Sequence, residues 1–394
     1  MGRKSQRTRK LLIQTTLLIL VCLIISVAFY LFQLQSMERQ AVPAFSVKES
    51  QVTKVAVKNV PESSFLEGKA DVLKKHEQSV THKPITVTFT GDVLLGRGVG
   101  QLIDTYGVDY PFIQVGETLR NSNITAINLE TSVSTRGIPA EKQFTFRSDP
   151  KTLQGVVNAG VDVVSLANNH TLDYGMDALL DTFDHLKSYN IAYTGAGNNE
   201  EEAFSAYYKE VNGKKIAIIG ISRVLPEVSW AAKGDKPGIA NAYQNEPMMT
   251  YVKKAAEQSD YLMVMIHWNR ERQDYPESYA REMGKAFIDA GASAVIGSHS
   301  HSLMGIEEYK GCPIYYSLGN FIFTDSASPK GSETMIVQVT LDNGEISSSL
   351  KPTKIVKGQP QFMDESYNQA IISKLNQLSY NVKIDGKGAV SYLQ

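Results

Sequence analysis

"ASAVIGSHSH", Ala292 to His301, is a run of small and β-branched apolar residues that stops at two histidines. A short apolar run with a polar break after it reads as a buried strand of an α/β sheet, and the residues just past it stand at that strand's carboxyl end, where such sheets collect ligands. The chain has only 7 histidines in 394 residues, so a pair at this point is informative. Working outward, the same pattern recurs. "ITVTFT" runs into Gly91-Asp92, "TAI" into Asn128-Leu129-Glu130, "VDVVSLA" into Asn168, Asn169 and His170, and "YLMVMI" into His267. Separate predicted strands thus deliver carboxylates, amides and imidazoles to one rim.

The intervening segments carry the other half of the fold. "GMDALLDTFDHLKSYN" places Met176, Leu179, Leu180, Phe183 and Leu186 on one helical face, and "PESYAREMGKAFIDAG" does the same with Tyr279, Met283, Phe287 and Ile288 before a terminal glycine. Strands alternating with helices predict an α/β domain with largely buried sheets. Near its end, "TMIVQVTLDNGEI" predicts an antiparallel hairpin turning at Asp342-Asn343-Gly344.

Ahead of this domain the composition changes. Leu11 to Phe32 holds no charge, and at 1.5 Å per residue a helix of that length reaches roughly 33 Å, enough to cross a bilayer's hydrocarbon. It exceeds the ~7–15-residue apolar core of a cleaved secretory signal and is read as one transmembrane helix. Arg3, Lys4, Arg7, Arg9 and Lys10 precede it, so residues 1–10 are expected in the cytoplasm and the main domain outside, on a single-pass cell-membrane protein. Residues 33–83 read as a polar stalk or linker, 84–350 as the folded domain and 351–394 as a weakly patterned C-terminal extension. Removing those five cations from the 40 basic residues leaves 35 against 41 acidic ones. That mildly acidic balance argues against nucleic acid as a partner. Cys22 lies in the apolar span and Cys312 is alone beyond it, so the exported part has no internal disulfide to form.

Oxygen and nitrogen donors without cysteine suit a divalent metal of intermediate hardness, Mn, Fe or Zn, and two ions fit the donor count better than one. Imidazole must be neutral to bind, so function is expected to fall at acidic pH. Each donor has a plainer reading when taken singly: Asp92 as a turn or cap, Glu130 as a surface charge, the asparagines as loop residues, His267 as a hydrogen-bonded core histidine. The pair His299 and His301 is the most specific local signal, since alternate residues of an extended segment face the same side.

"FTGDVLLGR", "NLE", "SLANNHTLDYG", "IHWNRE", "GSHSH" and "YYSLGNFIF", in that order behind an N-terminal apolar span, resemble the CapA/PgsA family of bacterial capsule, or poly-γ-glutamate, biosynthesis proteins, itself similar to a distant branch of the calcineurin-like metallophosphoesterases. The resemblance covers about Pro84 to Phe323. It implies a sandwich of two mixed sheets flanked by helices, with Asp92 on a first metal, Glu130 at the bridging position, Asn169 and His267 on a second, His299 and His301 one to each, and His170 as the acid that protonates a leaving group. Two positions depart from the wider pattern. Leu94 stands where a ligating histidine is usual, so the first metal site is expected to be weak, and Glu130 is one methylene longer than the usual aspartate.

Arg97, Asn128, Asn168, Glu271 and Asn320 in the same motifs are candidate substrate contacts. Arg97 would serve an anionic substrate or an internal carboxylate equally well. Asp173, Tyr174 and Gly175 lead into a helix as cap and turn residues, Asp173 also being placed to orient a histidine.

The resemblance implies a membrane-anchored component of a machinery that makes or exports an anionic capsule polymer, with membrane synthase or export proteins as partners. No GxxxxGK[ST] signature occurs, so an ATP-dependent ligase is not implied. Two alternatives remain open: an extracytoplasmic phosphoesterase or γ-glutamyl hydrolase unrelated to capsule, and a non-catalytic polyanion-binding scaffold.

Overall fold

A computed structural model of the chain describes residues 83–324, 326 and 328–393. The apolar span Leu11 to Phe32 and nearly all of the stalk lie outside the described residues. Among the described residues no helix is long and apolar enough to cross a membrane.

Two mixed sheets form the centre. The larger has the order Val382–Ile384, Ala389–Tyr392, Glu345–Val356, Glu333–Asp342, Ile85–Val93, Ile124–Leu129, Val163–Ser165, Ala192–Thr194, with Asn320–Ile322 also paired to Ile85–Val93 and Gln359–Gln361 to Glu345–Val356. The smaller runs Ile306–Tyr309, Cys312–Tyr315, Ala292–Ser298, Tyr261–His267, Lys214–Ser222, Tyr207–Val211. Side-chain alternation stacks them. Val87, Phe89, Ile124 and Ala126 of the first sheet share a core with Ile216, Ile218, Met263, Met265 and Ile296 of the second. The opposite faces of the same strands meet helices. Ile127, Leu129 and Val164 pack with Val99 and Ile103 of the Arg97–Tyr106 helix and with Leu179, Phe183 and Leu186 of the Gly175–Ser188 helix. Ile219, Val264 and Val295 pack with Val252 of the Met248–Glu257 helix and with Phe287 and Ile288 of the Ser278–Asp289 helix. Strands buried on both faces therefore explain the near-continuous apolar runs. The expected sandwich of mixed sheets flanked by helices is what forms.

Register decides where the rim falls. In the first sheet Asp92 pairs with Asn128 on one side and Asn320 on the other; in the second, His267 lies opposite Ser222 and Ser298. Asp92 and Asn128 are thus the next-to-last residues of their strands rather than residues beyond them. Gly91 permits this pairing, because a Cβ there would stand 2.0 Å from the Gly319 carbonyl oxygen.

The hairpin turns where expected, with Asp342 opposite Glu345 and Asn343 and Gly344 at φ 48° and 89°, the left-handed pair a tight two-residue turn needs. The boundary drawn at residue 350 is corrected. The Glu345–Val356 strand runs straight through it, and the residues beyond supply three further strands and the Glu365–Leu378 helix. Period alone hid this, since those strands are short and half-exposed.

Glu307 pins that tail to the second sheet. Its carboxylate takes a forked pair of bonds from Arg281 at 2.8 Å each, one from the Tyr316 hydroxyl at 2.6 Å, and lies 2.9 Å from Lys285. Arg281 in turn lies over the Tyr380 ring at 4.0 Å, and the Tyr380 backbone bonds to Ile306 and Glu308. Burial alone would raise the Glu307 carboxyl, but these donors outweigh it and hold it at about 2. A depressed value stabilises the fold above the ordinary glutamate range and loses that contribution as pH falls toward 2. Glu307→Gln, measured by thermal unfolding at neutral pH, is expected to cost about 2–4 kcal/mol, and the difference from wild type should shrink between about pH 4.5 and 2.

Candidate metal centre

The strand ends converge. Asp92, Glu130 and His267 are buried, and each offers a ligand atom within 4.8 Å of the others; Glu271, which is exposed, His299, which is buried, and His301, which is partly buried, form a second group within the same distance of one another. The sequence motifs divide these donors differently, setting Asp92 and His267 on separate ions, whereas the geometry groups them together and adds Glu271, read from sequence as a substrate contact. Asn169 Oδ1 lies 2.8 Å from His267 Nε2, and His267 Nδ1 is 2.9 Å from the Ser298 hydroxyl.

The two histidines of "GSHSH" reach the site by a different route from the one expected. They are not on an extended segment: His299 and His301 have φ of 90° and 52°. A left-handed turn, rather than strand alternation, swings His299 to within 4.7 Å of the His267 ring and His301 Nδ1 to within 3.3 Å of Asp92 Oδ2. Such backbone is disfavoured for L residues and concentrates at functional sites. Asn320 Oδ1 sits 2.8 Å from the same His301 nitrogen.

Asn128 and Asn168 are corrected as substrate contacts. Both are buried. Asn128 donates to Asp92 Oδ1 at 2.8 Å and to Glu130 Oε2 at 3.3 Å, and Asn168 donates to Asn128 Oδ1 and the Leu129 carbonyl while accepting from the His170 amide. They hold the carboxylates and the His170 loop in place.

His170 is built as a dyad. Its Nδ1 lies 2.6 Å from Asp173 Oδ2, its ring stacks on Phe146 at 3.9 Å, and its Nε2 faces Glu130 Oε1 at 3.8 Å. Asp173 makes no helix cap and orients this histidine instead. Lys142, absent from the sequence reading, bonds Asp173 Oδ1 at 2.7 Å and the Asn169 carbonyl at 2.6 Å. It lies in a loop without regular period, so no sequence signal marks it.

Electrostatics follow from burial. Burial, with Asp92 beside it, pushes the Glu130 carboxyl well above its usual range. Burial and the neighbouring imidazoles drive His267 well below its usual value and His299 down to about 3. Burial also lowers His170, against the pull of Asp173. His301 goes the other way. Burial would lower it, but Glu130 and Asp92 carry it up to about 10.

Glu130 Oε1 and His299 Nδ1 are buried with no hydrogen-bond partner. Such an atom ordinarily costs about 1–3 kcal/mol. Two of them, a carboxylate oxygen and an imidazole nitrogen, set among further carboxylate and imidazole donors, fit a divalent cation, which would also favour the ionised form of Glu130. Leu94, at the position of the usual histidine, is fully buried and gives no donor.

A cavity of about 530 Å³ opens onto this group, lined by Arg97, His170, Glu271, Arg272, His301 and Asn320 among others. A groove of similar size, about 540 Å³, around Asp184, Lys187 and Tyr193 holds none of these donors.

Comparison with known proteins agrees with the motif order. A family model described as bacterial capsule synthesis protein PGA_cap matches residues 86–325. The chain is 31% identical over 296 residues to the capsule biosynthesis protein CapA of Bacillus anthracis, covering 73% of this chain and 71% of that one. It is 30% identical over 297 residues to the PGA biosynthesis protein CapA of Bacillus subtilis (strain 168), covering 74% and 77%. On that match and those motifs, the chain belongs to the CapA/PgsA family of bacterial capsule synthesis proteins.

Proposed function

We propose that this chain is a membrane-anchored, outward-facing component of capsule polymer biosynthesis or export, poly-γ-glutamate or a related polymer, and that its rim is a divalent-metal-dependent hydrolase-type site. The pathway rests on what the relatives are named for, and the anchor on the uncharged Leu11 to Phe32 span. The observation that carries the site is the pair of buried donors that make no hydrogen bond, Glu130 Oε1 and His299 Nδ1, amid Asp92, His267, Glu271 and His301. Asn169 adds an amide oxygen to the ligand set.

A cation held there would act as a Lewis acid toward an ester or amide oxygen and make water a better nucleophile. The chain's own residues do the rest. Asp173 fixes His170 through Nδ1 and stabilises its imidazolium, so the proton leaves from Nε2 toward the cavity and onto a leaving oxygen or nitrogen. Lys142 holds Asp173 in place through its bond to Oδ1. Phe146 stacks on the ring and limits water around it.

The test is hydrolysis of a generic phosphodiester and of a γ-glutamyl peptide by the purified full-length chain supplied with Mn²⁺, Fe²⁺ or Zn²⁺, alongside the metal it retains. Turnover of either substrate that needs metal supports the reading. Bound metal without turnover of both favours the binding scaffold.

A further inference from the structure

The cavity that His170 and His301 line is also lined by two arginines that the hydrolytic chemistry does not use. Arg97 is exposed, and its Cζ lies 5.7 Å from the Phe144 ring centre and 5.4 Å from that of Phe146. Phe146 is the ring on which His170 stacks. A single aromatic side chain therefore separates the Arg97 cation from the candidate proton donor. Arg272 lines the same cavity, its amide bonded to the Ser300 carbonyl at 2.7 Å, in the middle of the His299–His301 turn.

Neither arginine is placed for stability. Arg97 has φ 51° and Arg272 φ 59°, a region that residues with long side chains rarely enter. Arg97 is also the first residue of its helix, where the macrodipole disfavours a cation. Among the described residues no carboxylate pairs with either side chain in an ion bridge. Strained backbone at two exposed arginines that line one cavity, neither in an ion bridge, suggests an anionic ligand as the partner.

Resting on the hydrolase reading of the rim, we infer that Arg97 and Arg272 form a clamp for a second oxyanion, a carboxylate or phosphate that the substrate carries apart from its reacting group. The preferred substrate is then one with repeated negative charge. Stacking on Phe144 and Phe146 leaves the edge of the Arg97 guanidinium free to fork onto two oxygens, which a lysine cannot do. The mildly acidic exported part would otherwise repel such a chain, so a local cationic wall is what its approach requires.

The experiment is calorimetric titration of the full-length chain with a γ-linked glutamate trimer, with the same trimer as its α-amides, and with glycerol phosphate. Wild type, Arg97→Gln, Arg97→Lys and Arg272→Gln are compared, with thermal unfolding to show each is folded. Wild type is expected to bind a charged ligand about 10- to 100-fold tighter than the amide, and each Gln change to remove most of that preference. Arg97→Lys should recover part of it. Whichever charged ligand loses affinity in the variants identifies the group. Equal binding of charged and neutral ligands by wild type, or preference undiminished in folded Gln variants, overturns the clamp. Hydrolysis and metal content on the same samples separate the two ideas. Metal and turnover without charge preference sink the clamp alone, whereas arginine-dependent preference without turnover sinks the hydrolase reading and leaves an anion-binding rim.

Discussion

His170→Ala is expected to lower metal-dependent hydrolysis by about 10²–10⁴-fold while leaving retained metal close to wild type. The magnitude is that of a positioned general acid. Its specificity comes from the geometry: His170 lines the cavity, its Nδ1 is engaged by Asp173 and its Nε2 faces Glu130 Oε1 at 3.8 Å, while His170 itself belongs to neither donor group. Removal of the ring takes away the proton, and with it the Phe146 stack and the Asp173 bond, so the loss of rate is read only in protein shown to be folded. Asp173→Asn should fall in the same direction by a smaller factor, because the ring remains but its imidazolium loses a carboxylate. A His170→Ala protein that hydrolyses at the wild-type rate, measured as initial rates with metal in excess, would remove His170 from the chemistry.

Asp92→Asn is expected to cut metal affinity by a larger margin than any change outside the donor groups, to roughly a hundredth or less of wild type. The substitution keeps the size of the side chain and one carbonyl oxygen, so packing against the strands bearing Asn128 and Asn320 survives. What disappears is one of the two buried negative charges facing His301. Competition with a fluorescent chelator at neutral pH measures the affinity directly. Unchanged affinity would mean that Asp92 serves only its bonds to Asn128 and the His299 amide.

Much of this was readable before the structure, for a local reason. A strand buried on both faces must be apolar throughout, so Asp92, Asn128, His267 and His299 stand out as the points where the apolar run stops. What sequence could not supply was backbone conformation and distance across the fold. "GSHSH" looks extended, yet both histidines sit in left-handed turns, and the same is true of Arg97 and Arg272, whose strain leaves no trace in residue type. Lys142 reaches Asp173 across a 31-residue separation. Asn128 and Asn168 look like solvent-facing amides until burial shows that they bind the neighbouring carboxylates and backbone. The tail after residue 350 failed for the opposite reason: its strands are short and half-exposed, so their alternation is weak although they complete the larger sheet.

Quantifying the metal bound to the purified full-length chain, by inductively coupled plasma mass spectrometry after dialysis at neutral pH, tests the shared-cation account most directly. The expected result is at least one equivalent of Mn, Fe or Zn in wild type, with strong loss in a folded Asp92→Asn or His267→Ala variant. A wild-type chain that takes up none of these ions even when they are added, or variants that hold as much as wild type, would contradict it.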